Sequence, residues 1–335
     1  MTASSAAGAV GTDPPAPASG RRVWRRVAAI LRPLLQALVV SFCVVVVTFF
    51  LVRAFLGDPA RAKLGLNASQ AQVDQLRAQW GLNRPLLSQF VDYLRGLPRG
   101  DLGTSIQGTD TKVATLIFGA LRNTALLALV SMILAVLLGV AGGVWAALTR
   151  IKIVDILLRG LAMLALASPP ALIGLVLIFA VAVRAGLAPV GGWGTGYPDN
   201  FRYLALPIAS VTILMTPVIL RVVRSRAIEV MREPHIEAAR SRGMRPLRLV
   251  LRHLLPNCAL PILTVVGLSA GSLLSGAVVV EAVFGVPGLG QVLLNAMNSS
   301  DFPVIQGAAM VSGVAVALCN ALAEIAQRAI DPRIR

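Results

Sequence analysis

RVVRSRAIEVMREPHIEAARSRGMRPLRLVLRHLLP, residues 221–256, decides how the rest of the chain reads. It holds nine arginines and three glutamates, and it lies between two long apolar runs. A loop joining two membrane spans needs only a few residues. This one is long, charged and patterned as two short helices, which leaves two readings. It is a solvated basic loop, or it is a surface that something outside the membrane recognises. Pro234 is placed to open a helix, where a missing N–H costs nothing. Gly243 is placed to close it. A second helical piece would start near Pro246 and end before Pro256. Helical spacing puts His235, Ala238, Ala239 and Arg242 on one face, with two alanines making a flat spot for close approach.

Composition sets the class. The chain has 335 residues, 56% hydrophobic and 14% charged, with mean hydropathy +0.76. Soluble domains carry roughly a quarter charged residues, so this is an all-α polytopic membrane protein. A net charge of +16 would point to nucleic acid in a soluble chain. Here it reads as loops held on the anionic, cytoplasmic side, with membrane lipid as the neighbour and no nucleic acid. Only Lys63, Lys112 and Lys152 are lysines, and none follows a glycine, so the chain has no nucleotide-phosphate cradle of its own. Cys43, Cys258 and Cys319 lie in or beside apolar runs and imply no disulfide framework. The two histidines, His235 and His253, both fall in the polar island, so no metal site is expected. Paired catalytic groups at membrane depth are missing too, which argues against an intramembrane enzyme.

The flanking chain reads as six spans. Residues 1–32 make a disordered and basic tail, ending in Arg21, Arg22, Arg25, Arg26 and Arg32. The first span is 33–56, with a cleaved signal peptide as the alternative. Residues 57–121 carry charge at ordinary density and form an external segment, with helical pieces at Ser69 to Trp80 and Pro85 to Leu97. Residues 122–335 form a five-helix core. Its spans run roughly 124–148, 156–183, 203–220, 258–284 and 304–325, and the polar island 221–256 lies inside. Ser168-Pro169-Pro170 interrupts the third span, either along a pathway or as a packing kink. Residues 258–284 carry a small-residue face that includes Ser272 and Ser275. Glu281 sits near the outer end of that span, facing the interface or lining a cavity mouth. Residues 285–303 are too short and polar to cross, and read as an external loop with a partly inserted helix, Leu289 to Asn298. Both termini fall on the cytoplasmic side.

At this point several separated stretches resemble one family. Glu237-Ala238-Ala239, then Gly243, then Leu255-Pro256 is similar to the EAA loop of binding-protein-dependent ABC importers. RHLLPN at 252–257 resembles the dipeptide and oligopeptide branch, although His253 stands where many of these permeases have isoleucine. GDPA at 57–60, GLNRPLLSQFVDYLRGLPRGDLGTS at 81–105, VEAVFGVPGLGQ at 280–291 and the ending DPRIR at 331–335 resemble the same branch.

The resemblance implies a type I ABC importer permease fold in the bacterial cytoplasmic membrane. It implies a second homologous permease chain, two ATPase subunits or one used twice, and an external substrate-binding protein. ATP and Mg would belong to the ATPase partners, and this chain would bind no cofactor. Glu237, Ala238, Ala239, Arg240, Arg242 and Gly243 would form the coupling site, with Glu237 either meeting the ATPase or pinning the second helix. Ser168, Ser272, Ser275, Glu281 and Asp301 are the candidates for the substrate pathway. The substrate would be dipeptides or oligopeptides, with nickel or glutathione as alternatives within the family. A gradient-driven transporter is the rival of another class, and it would need acids or histidines in the spans.

Overall fold

The computed structural model describes residues 19–55, 57–65, 68–107, 111–149, 152–196 and 199–330. Most of the expected tail, and the DPRIR ending, lie outside these residues. Among the described residues the regular structure is all helical, apart from one β-bridge between Thr104 and Lys112.

Helix α1 runs Ser19–Phe55. It therefore takes in the basic stretch expected as tail, because arginine and alanine are good helix formers and charge does not end a helix. The external segment folds as α2 (Pro59–Leu64), α3 (Gln70–Gln79) and α4 (Leu86–Gly96). Ser69 and Gln72 close a capping box at the start of α3, so two otherwise orphaned backbone donors are satisfied at once. Phe90 of α4 is buried and its ring meets Phe49 of α1 edge-on at 5.1 Å, seating the segment on the first span.

Five stretches are long and apolar enough to cross a membrane: Ile30–Ala54, Val113–Leu148, Asn200–Val230, Pro246–Gly271 and Phe302–Ala329. They belong to α1, α5 (Val113–Leu148), α8 (Asn200–Val230), α10 (Pro246–Leu249) with α11 (Leu255–Phe284), and α13 (Phe302–Ile330). Helix packing settles the remaining count. Gly139 of α5 faces Ile219 of α8, and Gly143 faces Val223, so these two helices run parallel. A chain that crosses twice in the same direction must return between the crossings. That return is made by α6 (Lys152–Ala167) and α7 (Pro170–Leu177), the latter continuing as a π-helical stretch to Arg184. The two pieces bend by 109° at Ser168-Pro169, far more than the kink expected. The chain thus makes six crossings.

The last third holds two further departures. Helix α8 continues to Val230, so the first part of the polar island extends a span. After α9 (Pro234–Ser241), the short α10 (Pro246–Leu249) passes through a π turn, Val250–Leu254, into α11 (Leu255–Phe284). Pro256 ends nothing there, since a proline in the first turn costs no intrahelical bond. Helix α12, Leu289–Asn298, folds back from α11 by 73°. Ten residues rise only about 15 Å, half of the hydrocarbon core, so α12 is re-entrant and adds no crossing.

The most extensive packing between helices is that of α5 on α8. Leu127, Ser131, Ala135, Gly139 and Gly143 form a buried stripe at every fourth residue of α5. An added Cβ at Gly143 would lie 2.8 Å from the Val223 Cβ. Small residues let the two backbones approach, the usual means of joining helices in lipid. Helix α13 packs antiparallel to α1, with Gly313 against Val44 and Ala317 and Ala321 near Ala37.

Candidate functional site

The parallel and antiparallel packing sorts the polar parts to two ends of the bundle. Segment 57–121, the start of α13 and α12 share one apolar cluster that includes Phe90, Ile106, Leu289 and Phe302. Helix α9 lies at the opposite end, on a separate cluster of Ala227, Val230, Ile236, Ala239, Leu249, Leu254 and Cys258. Val144 and Ala147, at the end of α5, pack against that second cluster. One short helix therefore rests on the ends of three spans.

Local chemistry fixes the bounds of α9. Pro234 occupies its first turn, after Glu233 in extended backbone. At the other end Gly243 has φ +74°. Its N–H donates to the Arg240 carbonyl at 2.9 Å, and the Met244 N–H donates to the Ala239 carbonyl at 3.2 Å. This is a Schellman closure, and the left-handed residue it needs is glycine. Both ends are held within ten residues, so α9 is stiff for its length.

The faces of α9 differ from the expected pattern. Ile236 and Ala239 point into the chain's own cluster, so Ala239 does not share the outward face with Ala238. That face carries His235, Glu237, Ala238, Ser241 and Arg242, all exposed. No ion pair or side-chain hydrogen bond engages the Glu237 carboxylate among the described residues. It is not pinning the following helix, and of the two expected roles the one facing a partner remains open. Arg240 is exposed, with its guanidinium 4.0 Å from the Met231 sulfur. The neighbouring charges pair with one another, Arg226 with Glu229 at 2.9 Å and with Glu233 at 3.8 Å, and the His235 Nδ1 lies 3.2 Å from the Glu233 carboxylate. Sequence reasoning missed this network and the inward anchor Ile236. The apolar Ile236 amid charge was the visible signal.

The expected pathway residues are scattered. Glu281 is fully buried, which corrects its placement at an interface or a cavity mouth. Its carboxylate accepts from the Thr124 hydroxyl at 2.6 Å and the Gly290 N–H at 2.7 Å, while the Leu289 N–H donates to Thr124 Oγ1 at 2.8 Å. It closes the N-terminus of α12 onto α5 and α11, a favourable place for negative charge. Asp301 is also buried and accepts from the Ser105 hydroxyl and, at 3.2 Å, from the Ile106 N–H. Both acids are thus occupied by the chain's own donors. The Ser168 hydroxyl donates back to the Leu164 carbonyl at 2.7 Å, beside the Pro169-Pro170 break. Ser272 and Ser275 lie on α11, with side chains outside the described residues. Among the described residues no three His, Cys, Asp or Glu side chains gather as metal ligands do.

Comparison with known proteins matches both ends of this geometry. Residues 139–335 match the family described as binding-protein-dependent transport system inner membrane component. Residues 27–119 match the N-terminal part of the membrane components of the same transport systems. A Brucella suis biovar 1 protein whose name contains peptide permease protein is 36% identical over 91% of this chain and 98% of its own. The oligopeptide transport system permease protein AppB of Bacillus subtilis strain 168 is 33% identical over 92% of this chain and 99% of its own. The glutathione transport system permease protein GsiC of Escherichia coli K12 is 32% identical over 91% and 98%. Among solved structures, a chain of the MetNI methionine ABC transporter in an inward-facing conformation superposes with TM-score 0.53 at 21% identity. The match covers 64% of this chain and 96% of that one, and the fold is shared.

Proposed function

This chain belongs to the family of binding-protein-dependent transport system inner membrane components, and on that premise we propose that it is an ABC importer permease for dipeptides or oligopeptides, driven through α9. ATP would be hydrolysed in two partner ATPase subunits, which hold ATP and Mg and dock on the outward face of α9. A second permease chain completes the pathway. An external binding protein delivers substrate to the end formed by segment 57–121 and α12. The end with α9 is the cytoplasmic one, since nine arginines lie within residues 221–256 and basic loops stay inside. Both termini then lie inside as well.

One observation carries this reading. Helix α9 is stiff, packed by Ile236 and Ala239 against the ends of α5, α8 and α11, and it presents the unpaired Glu237 and the exposed Ala238 outward. A push on that face bears on the ends of three spans at once, the input that alternating access requires. The test replaces Glu237→Lys and, separately, Gly243→Asp. Both variants should insert and assemble yet lose the acceleration of ATP hydrolysis by loaded binding protein. Wild-type acceleration in both would remove the coupling role. The glutathione permease relative supports a second reading within the same mechanism. Uptake of labelled tripeptides against labelled glutathione by a deletion strain separates the two.

A further inference from the structure

A cavity of about 730 Å³ lies at the end opposite α9, between the external segment and the outer ends of α1 and α13. Its volume falls within the range of about 300–1,000 Å³ typical of small-molecule sites. Apolar Val52, Leu82, Leu86 and Leu102 share its lining with a few polar groups. Lys63 and Trp80 stand among the lining residues, with the ammonium 5.5 Å from the indole ring. Asp58, the one acid among the described lining residues, is already held by Arg77 at 2.8 Å. The described lining is therefore basic in balance.

Its distinctive group is Arg53. The guanidinium lies 3.7 Å over the Phe49 ring. Its Nε donates to Gln89 at 3.2 Å and its Nη1 to Gln306 at 3.0 Å. Among the described residues no carboxylate pairs with it, and Nη2 has no partner. Beside it Gln306 is 6% exposed, and its Nε2 meets only the Tyr93 hydroxyl, too poorly aligned for a full hydrogen bond. A buried amide donor so poorly satisfied is costly until a better acceptor arrives. Two neutral amides orient the cation, an aromatic face backs it, and among the described residues its Nη2 is left without a partner beside the open space.

We propose that this cavity is a carboxylate-recognition site for a short peptide, with Arg53 and Gln306 receiving the C-terminal carboxylate and the Trp80–Leu86 wall receiving side chains. It rests on the reading of the chain as a peptide permease, and adds a binding step on the permease itself, at the external mouth. A guanidinium suits a carboxylate because its planar fork of donors matches two oxygens. A small solute fills the cavity better than a single acidic side chain of a docking protein would.

The experiment uses the assembled importer in lipid nanodiscs without binding protein. Equilibrium dialysis compares tri-alanine with its C-terminal amide. The free acid should bind about tenfold or more tightly than the amide, and Arg53→Gln should erase that preference. Arg53→Lys, which keeps the charge, should retain part of it. Equal binding of acid and amide by the unaltered complex overturns the proposal without any variant having to fold. No peptide bound in the absence of binding protein, with Arg53→Gln instead weakening the docking of binding protein, overturns it in favour of a protein docking pocket. Stimulation of ATP hydrolysis by tri-alanine-loaded binding protein is measured in parallel. If stimulation persists while acid and amide bind alike, the cavity assignment fails and the peptide reading stands. If no peptide stimulates, the peptide reading itself fails.

Discussion

Replacing Gly143 by alanine puts one methyl group into the α5–α8 seam. That Cβ would sit 2.8 Å from the Val223 Cβ, 2.9 Å from Val223 Cγ1 and 2.9 Å from the Leu220 carbonyl oxygen. Carbon atoms prefer separations of about 3.5–4.0 Å, so the helices must part locally by at least about 0.7 Å. Backbone oxygen and a β-branched side chain cannot turn aside. Overpacking of this kind costs about 1–3 kcal/mol. Alanine also gains helix propensity over glycine, so the control is Gly119→Ala in the same helix. There an added Cβ meets nothing within 4 Å. The difference between the two variants isolates the packing cost. We expect Gly143→Ala to unfold about 1–3 kcal/mol more readily than Gly119→Ala, measured on the assembled complex in mixed micelles as the SDS fraction is raised. Equal unfolding free energies would refute the close approach of α5 and α8. The parallel packing that fixes six crossings would go with it.

Other perturbations act elsewhere in the fold. Gly243→Ala should cost about 1–2 kcal/mol through its left-handed backbone alone, since no atom lies within 4 Å of an added Cβ. Gly243→Asn should cost less, and an inverted order in a thermal melt would contradict the Schellman closure. Glu281→Ala leaves the Thr124 hydroxyl and the Gly290 N–H without their acceptor, a loss of about 1–3 kcal/mol for each buried donor. Hydrogen exchange should then rise at Leu289 to Asn298, and unchanged protection there would count against the cap. Asp301→Ala should free the 101–107 loop, read as faster protease cleavage in it. Burial raises the Tyr93 pKa above its ordinary value, against smaller opposing effects of Gln306 and Arg53. The raised folded-state pKa gives a contribution that is whole below about pH 10 and lost as pH rises towards the folded value. Tyr93→Phe should flatten that alkaline fall in stability, and an unchanged slope would place the titration elsewhere.

Local grammar was readable from the sequence, and pairing was not. The bounds of α12 and the Pro234–Gly243 frame of α9 followed from turn and cap residues, which act within a few positions. Helix α8 ran on through Arg221–Val230 because arginine and glutamate favour helix as well as water, so a change in polarity did not mark an end. The small residues of α5 stood in view at every fourth position, yet only the fold supplies their partner on α8. Glu281 shows the same limit. An acid in an apolar run invites a functional reading, while its hydrogen-bonding partner Thr124 lies 157 residues away. The face of α9 was misjudged at Ala239 because helical spacing says which residues are neighbours and not which side meets the body.

The π turn at Val250–Leu254 gives the two flanks of α9 different compliance. On one side α8 runs free of proline from Val218 to Val230, ending three residues before α9 begins. On the other side the α10–α11 run contains a widened turn with a poorer ladder of backbone bonds. A thrust on α9 should therefore travel undiminished into α8, together with the α5 helix fused to it, while the α11 flank yields like a hinge pin. The bundle would answer a symmetric squeeze from below with a lopsided swing above.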